Sequence, residues 1–208
     1  MDKKQQTRKI LKELKKEYKK TGPFIEWSTP LELLVGTILS AQCTDERVNA
    51  VTQKLFKKYT TAGDYAKASI NTLEKEVYST GFYKNKAKAL KESGQIMVDH
   101  FDGEVPDTLE GLLKLRGVSI KTAYLVLSKV YGKNVGLAVD THVFRLSKRI
   151  GLSDAKTPEK MSKELSEIVD KKNYLLWNEY LITHGRAVCG RKPKCDTCVI
   201  NELCKKNI

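Results

Sequence analysis

Apolar residues recur at helical spacing along almost the whole sequence, and no segment alternates convincingly between apolar and polar residues. A helix buries a stripe of side chains three or four residues apart, whereas a half-buried strand alternates at every second residue. Gly and Pro interrupt the pattern, as expected for short connections between helices. They stand at Gly81, Gly103, Pro106, Gly117, Gly132, Gly136 and Gly151. The sequence therefore predicts an all-α protein without a long linker.

Two helices are indicated near the N-terminus. The first is basic and amphipathic, because Ile10 and Leu14 share one face while Lys and Arg occupy most of the remaining positions. The second should begin at Pro30, because Thr29 and Glu32 have the spacing of a capping box around it. Further helices are predicted at 47–59, 70–78, 85–100, 109–115, 121–131, 141–150, 158–169 and 173–185.

The charge balance indicates a polyanionic partner. Lys and Arg number 38 against 25 Asp and Glu, which gives a formal net charge of +13, and nucleic acid is the commonest polyanion that basic proteins bind. Hydrophobic residues make up 40% of the chain, enough to fill a core. No apolar run approaches the roughly 18 residues of a membrane span, and the lysine-rich N-terminus lacks a signal-peptide core. We therefore expect neither secretion nor membrane insertion.

Four of the five cysteines crowd into the last twenty residues, with the spacing Cys-x5-Cys-x2-Cys-x5-Cys. This clustering predicts a metal site rather than a disulfide framework. Zinc sites usually combine two short Cys pairs, and only one is present here, so an iron–sulfur cluster is favoured and zinc is the alternative. The predicted ligands are Cys189, Cys195, Cys198 and Cys204. Cys43, in an apolar helical context, is predicted to be a core residue or to lie beside a cleft.

The turn Gly117-Val118-Ser119 stands directly before an apolar helix and predicts a helical hairpin. The N–H groups of such a turn and the positive end of the second helix would bind a phosphate, which holds DNA without reading its sequence. An ordinary corner between two helices is the alternative.

Lys121 and Asp140 are the candidate catalytic residues. A lysine in the first turn of a helix opposes the dipole, and a nearby positive charge with partial desolvation favours the neutral amine that forms a Schiff base with a sugar aldehyde. The alternative is that Lys121 stays charged and contacts the DNA backbone. Asp140 stands before a strongly basic helix and on its own could be only an N-cap. The pair, an amine and a carboxylate each at a helix start, favours catalysis.

Several motifs occur in a familiar order. They are Leu39–Asp45, Gly81–Ala87, Gly103–Pro106, the hairpin with Lys121, Val139–His142, and His184–Arg186 followed by the four cysteines. Together they resemble bacterial and archaeal endonuclease III over nearly the whole chain. The resemblance implies two helical domains flanking a DNA-binding cleft: a six-helix barrel at 23–135, and a second domain at 1–22 plus 136–208 with a [4Fe-4S] cluster.

The same resemblance implies the function. Endonuclease III proteins remove oxidised pyrimidines in base-excision repair and cleave the abasic site that results. We therefore expect a DNA glycosylase and abasic-site lyase that acts on double-stranded DNA with damaged bases or abasic sites. It should be a monomer, cytoplasmic and associated with the nucleoid, without a membrane partner.

Individual roles also follow from the resemblance. Lys121 corresponds to the nucleophile and Asp140 to the carboxylate that assists base departure and proton transfer. Gln42 corresponds to the residue that enters the gap left by the extruded nucleotide, and Phe82 stands where the family often has leucine as a second wedge. The other expected DNA contacts lie in the hairpin and the first cysteine loop: Arg116, Gly117, Ser119, Arg191, Lys192 and Lys194.

Three features depart from the family pattern: the hairpin turn, the first cysteine loop and Phe82. Arg116 replaces a proline and Ser119 a glycine, so we expect an added cation near the phosphates and a reshaped turn, because serine tolerates positive φ less well than glycine. The first cysteine loop has five intervening residues rather than six, so its basic residues should project differently. Phe82 is larger than leucine and should stack on the orphaned base, altering the opposite-base preference.

Two other functions stay open at this point. A monofunctional or mismatch glycosylase of the same superfamily would remove uracil, thymine or adenine, with Asp140 activating water; Lys121 favours the lyase but does not fix the base. A non-catalytic DNA-binding module with a four-cysteine zinc site is the alternative from another class. The colour of the purified protein separates zinc from iron–sulfur.

Overall fold

The computed structural model describes residues 1–22 and 24–208, and over these residues it contains helices and no strand. This confirms the all-α class. The α-helices described are α1 (Lys3–Glu17), α2 (Pro30–Leu39), α3 (Asp45–Lys58), α4 (Ala62–Lys67), α5 (Ile70–Val77), α6 (Tyr83–His100), α7 (Leu109–Lys114), α8 (Ile120–Tyr131), α9 (Thr141–Ile150), α10 (Pro158–Ile168) and α11 (Tyr174–Ala187). Short 3-10 helices stand at Tyr78–Thr80, Lys171–Asn173, Cys195–Thr197 and Asn201–Leu203. None of the described helices is long and apolar enough to cross a membrane.

The chain forms two compact units, one of residues 1–22 with 133–208 and one of residues 23–132. Each unit has its own cluster of buried hydrophobic side chains. Pro23, the first residue of the barrel domain expected from the resemblance, lies outside the described residues.

The helices predicted from residue 47 onward are all present, with ends that differ by at most two residues. The capping box of α2 is also confirmed: Thr29 accepts from the Glu32 N–H at 3.2 Å, and the Glu32 carboxylate accepts from the Thr29 N–H at 3.3 Å. Helix α4, which has six residues, was not predicted. The sequence feature that marks its start is a second capping box, formed by Thr61 and Asp64.

Helix α6 is central to the unit of residues 23–132, because α2, α4 and α5 all pack against it. Gly94 permits the close approach of α4, since a Cβ there would lie only 2.7 Å from the Ala62 carbonyl oxygen. Helix α2 is buried over most of its length and packs against α3 and α8 as well. The hairpin between α7 and α8 is therefore built on a packed apolar core.

Helix α11 is central to the other unit, where α1 and α9 pack against it. Trp177 of α11 and Leu14 of α1 are fully buried in the same core, which confirms the amphipathic N-terminal helix. The N–H groups of Val188 and Cys189 both donate to the His184 carbonyl oxygen at 2.9 Å. These bonds end α11 and turn the chain into the cysteine-rich segment.

Candidate functional site

The hairpin between α7 and α8 turns at Gly117, where φ is +81°. A Cβ at this position would lie 3.1 Å from the Ala89 Cβ and 3.4 Å from the Ile38 Cγ2, so close packing as well as positive φ requires glycine. Val118, the next residue, is buried in the core. The turn is thereby fixed on α2 and α6.

Ser119 has an ordinary extended backbone, with φ −88° and ψ 167°. This backbone suits serine, and whether the turn differs from that of a glycine-bearing relative stays a prediction. The Ser119 hydroxyl caps α8 by accepting from the Thr122 N–H at 3.3 Å. A glycine could not supply that hydrogen bond.

Several backbone N–H groups of the hairpin find no acceptor in the described part of the chain. They belong to Gly117, Ser119, Ile120 and Lys121. The last two are the first residues of α8, so the positive end of the helix dipole lies beside them. Unpaired N–H groups at a helix start form a ready site for a phosphate.

Lys121 is the second residue of α8, and its side chain is exposed. It makes no hydrogen bond or ion pair with the residues that the structure describes. Because a cation in the first turn opposes the dipole, local stability does not account for this lysine. Its exposure also means that the chain alone does not desolvate the amine, so a bound ligand has to do so.

Arg116 points its charge at helix α6. Its Nη1 donates to the Glu92 carboxylate at 2.8 Å, and this hydrogen bond holds the pKa of Glu92 below its usual value. The Arg116 carbonyl oxygen accepts from the Ser93 hydroxyl at 2.9 Å. The cation expected near the phosphates is therefore partly offset by a carboxylate, and its contact with DNA stays a prediction.

Asp140 is the N-cap of α9, and its Oδ1 accepts from the Val143 N–H at 2.8 Å. Its Oδ2 accepts no hydrogen bond from a described residue. The preceding chain is held by the buried Asn178, whose amide donates to the Ala138 carbonyl oxygen at 2.9 Å. Capping is thus a real role of this half-buried carboxylate, and it leaves one oxygen for a ligand.

Gln42 and Phe82 line one cavity, together with Lys86 and Gly117 among other residues. Both are non-glycine residues with positive φ, +52° for Gln42 and +49° for Phe82. Such backbone strain persists only where the surrounding structure enforces it, and it is common at functional sites. The structure brings the two expected wedge residues and the hairpin turn to the same surface of the 23–132 unit.

The four clustered cysteines line a single pocket in the other unit. The five-residue loop after Cys189 is therefore long enough to bring it to the other three. Burial raises the pKa of the Cys198 and Cys204 thiols. A positively charged metal group is needed to hold such thiols as thiolates.

The chemistry of the donor set suits an iron–sulfur cluster. Four cysteine thiols line one pocket, and only one pair of them has the short Cys-x2-Cys spacing that zinc sites usually repeat. A zinc ion draws each sulfur to about 2.3 Å, whereas a cluster spreads its thiolates over several irons. Two N–H donors reach the sulfurs at 3.4 Å, from Arg149 to Cys189 and from Lys206 to Cys204.

Arg149 of α9 anchors the first cysteine loop. Its guanidinium donates to the Gly190 carbonyl oxygen at 2.6 Å and to the Arg191 carbonyl oxygen at 3.1 Å. The side chains of Arg191, Lys192 and Lys194 are exposed, and none forms an ion pair within the described ranges. The loop therefore presents three cations on a fixed backbone, and their contact with DNA stays a prediction.

Two side chains that anchor backbone segments were not predicted from the sequence. Arg149 lies one turn after Arg145 on α9, and both donate to the Cys189 carbonyl oxygen. Lys86 is only 5% exposed, and it lies one turn before the buried Leu90 on the apolar stripe of α6. This four-residue spacing from Leu90 could have predicted that Lys86 is buried. Cys43 packs half-buried against the core of its unit, as predicted.

Comparison with protein families gives two matches. A model of the HhH-GPD superfamily base excision DNA repair proteins matches residues 35–171, and a model of the iron-sulfur binding domain of endonuclease III matches residues 190–204. Among curated proteins, endonuclease III of Synechocystis is 45% identical over 203 residues, which are 97% of this chain and 93% of that protein. Endonuclease III of Bacillus subtilis is 39% identical over 181 residues, 86% of this chain and 82% of that protein.

Comparison with solved structures also finds endonuclease III. A non-covalent endonuclease III–DNA complex matches with a TM-score of 0.92 at 38% identity, covering 99% of this chain and 97% of that chain. A trapped covalent endonuclease III–DNA intermediate matches with the same values. A thermostable thymine-DNA glycosylase, at 23% identity and a TM-score of 0.86 over 97% of this chain and 96% of that chain, shares the fold.

Proposed function

This chain belongs to the endonuclease III family of the HhH-GPD superfamily, and we propose that it is a bifunctional DNA glycosylase and abasic-site lyase. Its substrate is double-stranded DNA with an oxidised pyrimidine or an abasic site. It removes the base and cuts the strand by β-elimination through a Schiff base on Lys121. It acts as a monomer in the cytoplasm, on nucleoid DNA.

The start of α8 carries this proposal. The unpaired N–H groups of Gly117, Ser119, Ile120 and Lys121 offer a phosphate site. The Lys121 amine lies beside them without a structural partner among the described residues. A phosphate bound to these groups places the sugar of a neighbouring nucleotide near the amine. Binding of the DNA also removes water from Lys121, which favours its neutral, nucleophilic form.

Extrusion of the damaged nucleotide comes first. Gln42 and Phe82 fill the space that it leaves, and unstacking a damaged base costs less than unstacking an intact one. Exposed cations of the first cysteine loop, Arg191, Lys192 and Lys194, hold the phosphate backbone without reading sequence.

Bond making and breaking then centre on C1′ of the extruded nucleotide. A bond forms from the neutral Lys121 Nζ to C1′ while the bond from C1′ to the base breaks, and the proton that Nζ gives up passes to the leaving base. Asp140 stabilises the positive charge that develops on the sugar, through the oxygen that capping leaves unused. The C1′–O4′ bond then breaks, O4′ takes up a proton, and the nitrogen lone pair completes the C1′=N bond of the Schiff base. This imine acidifies C2′, so loss of a proton there breaks the C3′–O bond and expels the 3′ phosphate.

The [4Fe-4S] cluster of this family has a structural role in the proposal. Its ligands are the four thiolates that line one pocket, Cys189, Cys195, Cys198 and Cys204. When bound, the cluster gives the segment after α11 a fixed shape. Arg149 then ties the basic loop to α9, the same helix that Asp140 caps.

Borohydride trapping tests the proposal directly, because reduction fixes the Schiff base as a covalent protein–DNA adduct. Wild-type protein should give an adduct on DNA with an abasic site or an oxidised pyrimidine. Lys121→Gln should give none and should cut no strand, while most of the DNA affinity stays, since one cation of many is lost. Lys75→Gln, which removes another exposed lysine of the same unit, is the matched control and should behave as wild type.

The monofunctional alternative predicts the opposite result. If Lys121→Gln still forms a borohydride adduct, the lyase assignment is wrong and another amine is involved. If wild-type protein releases a base without any adduct, water is the nucleophile and Asp140 activates it.

A further inference from the structure

The turn that carries Phe82 is strained, yet it presents the aromatic ring to solvent. Gly81 has φ +70° and Phe82 has φ +49°, so two successive residues adopt positive φ. Glycine does so readily, whereas phenylalanine does so only where its surroundings enforce it. The Phe82 side chain is 62% exposed, so packing of the ring does not supply that enforcement.

Lys86 ties both sides of this turn to α6. Its ammonium donates to the Thr80 carbonyl oxygen at 2.7 Å, and its backbone N–H donates to the Phe82 carbonyl oxygen at 3.1 Å. Thr80 is buried, and its hydroxyl donates to the Val77 carbonyl oxygen at 2.8 Å. The lysine side chain therefore holds the backbone before Gly81, while an ordinary helix hydrogen bond of α6 holds the backbone after it.

Burying this ammonium is unfavourable in itself. Lys86 stands on the apolar stripe of α6, and burial lowers its pKa. Charged groups are rarely buried so fully unless they are paired. An apolar residue would pack better on the buried face of α6, so the stability of this helix does not explain why position 86 is a lysine. The cavity that Lys86 lines with Gln42 and Phe82 offers the explanation.

We propose that Lys86 is a positioning residue for base extrusion, which holds the Thr80–Phe82 turn so that Phe82 is ready to enter the duplex before DNA binds. A wedge ordered in advance avoids the entropic cost of ordering the turn during extrusion. This inference rests on the proposed function, because extrusion is one of its steps. Lys86 does not touch the reacting atoms in this role.

Lys91 provides a matched control on the same helix. Its ammonium also donates to backbone carbonyl oxygens, those of Ala66 at 2.6 Å and Ala68 at 2.8 Å. It supports the end of α4 and is absent from the lining of the Gln42 and Phe82 cavity. Lys86→Met and Lys91→Met each remove one ammonium that donates to backbone carbonyl oxygens, from a buried lysine and a half-buried lysine respectively, and each keeps a long unbranched side chain.

Single-turnover cleavage by these variants should be compared on two duplexes, one with a paired oxidised pyrimidine and one with an abasic site. An abasic site needs little unstacking, so it reports chemistry without extrusion. Lys86→Met should slow cleavage of the paired lesion about tenfold and leave the abasic-site rate within about twofold of wild type. Lys91→Met should leave the ratio of the two rates at its wild-type value.

A spectroscopic readout separates positioning from general destabilisation. The fluorescence of 2-aminopurine beside a reduced, uncleavable abasic site rises when the neighbouring stack opens, and Lys86→Met should weaken that rise. Lys86→Arg, which keeps a charged donor, should restore part of it. In a Phe82→Ala background, Lys86→Met should have no further effect on the rate ratio, because the wedge is already gone.

The inference is wrong if Lys86→Met and Lys91→Met give the same rate ratio, or if Lys86→Met still changes the ratio when Phe82 is alanine. Should Lys86→Met fail to fold, Lys86→Gln is compared with Lys91→Gln by the same criteria. A wild-type protein that cleaves neither duplex contradicts the proposed function instead.

Discussion

Helices α8 and α9 begin in opposite electrostatic ways. Helix α8 is capped by the neutral hydroxyl of Ser119 and carries a cation, Lys121, in its first turn. Helix α9 is capped by the carboxylate of Asp140, which the positive end of a helix dipole favours. One residue thus opposes its helix and the other supports it.

The difference shows how far structure alone identifies a functional residue. Asp140 has a structural task, because its Oδ1 accepts from the Val143 N–H, and that task would explain its presence without any chemistry. Lys121 has no such task within the described residues and opposes the dipole. Chemistry is therefore the stronger explanation for Lys121, and Asp140 needs an experiment that separates capping from catalysis.

Asp140→Asn is that experiment and should give the largest effect. Asparagine caps a helix as well as aspartate does, so the free energy of unfolding should change by no more than about 0.5 kcal/mol. The rate of strand cleavage should fall by about 10²- to 10³-fold, because the amide cannot stabilise the charged sugar. Single-turnover assays and urea unfolding of the same samples measure both. A variant that cleaves at the wild-type rate would reduce Asp140 to a cap.

Ile120→Pro tests the unpaired N–H groups of α8 and should have the next largest effect. Ile120 is the first residue of the helix, a position that proline tolerates, and the extended Ser119 before it suits proline. The substitution removes one phosphate donor, so the affinity for undamaged duplex should fall about tenfold. Ile120→Ala removes the same side chain and keeps the N–H, so it should bind nearly as wild type.

Thr141→Pro makes the same change at the start of α9. Because the Asp140 carboxylate that caps this helix start repels a phosphate, whereas the Ser119 hydroxyl is neutral, this variant should leave duplex affinity unchanged. Equal losses from Ile120→Pro and Thr141→Pro would mean that α8 offers no special phosphate site.

The sequence predicted what local rules determine and missed what tertiary contacts decide. The start of α9 and the capping of α2 follow from residue types within a single turn, and both were predicted correctly. The capping role of Ser119 was not predicted, because the comparison with glycine considered φ and not the hydrogen bond from the Thr122 N–H to the hydroxyl. Lys86 was missed because a lysine normally lies at the surface, and only the packing of the neighbouring turn reveals its acceptor.

The two caps can also be compared by their contribution to folding. Ser119→Ala and Asp140→Ala each remove a side-chain acceptor from a helix start, so each should lower the free energy of unfolding by about 1 kcal/mol. Ser119→Gly should cost only a few tenths, about 0.3 kcal/mol, because glycine is itself a fair N-cap. Urea unfolding monitored by circular dichroism measures these changes. A loss for Ser119→Gly as large as for Ser119→Ala would show that the hydroxyl does more than cap.

Lys121→Gln should have a small effect on stability, and the sign of that effect shows whether the lysine supports the fold. Removing a cation from the positive end of α8 should raise the free energy of unfolding by about 0.5 kcal/mol, and more at low salt, where the dipole is less screened. Lys129 lies in the last turn of the same helix, where a cation is favourable. Lys129→Gln should therefore lower the stability. If Lys121→Gln destabilises the protein as much as Lys129→Gln does, Lys121 supports the fold, and the contrast between α8 and α9 no longer points to chemistry.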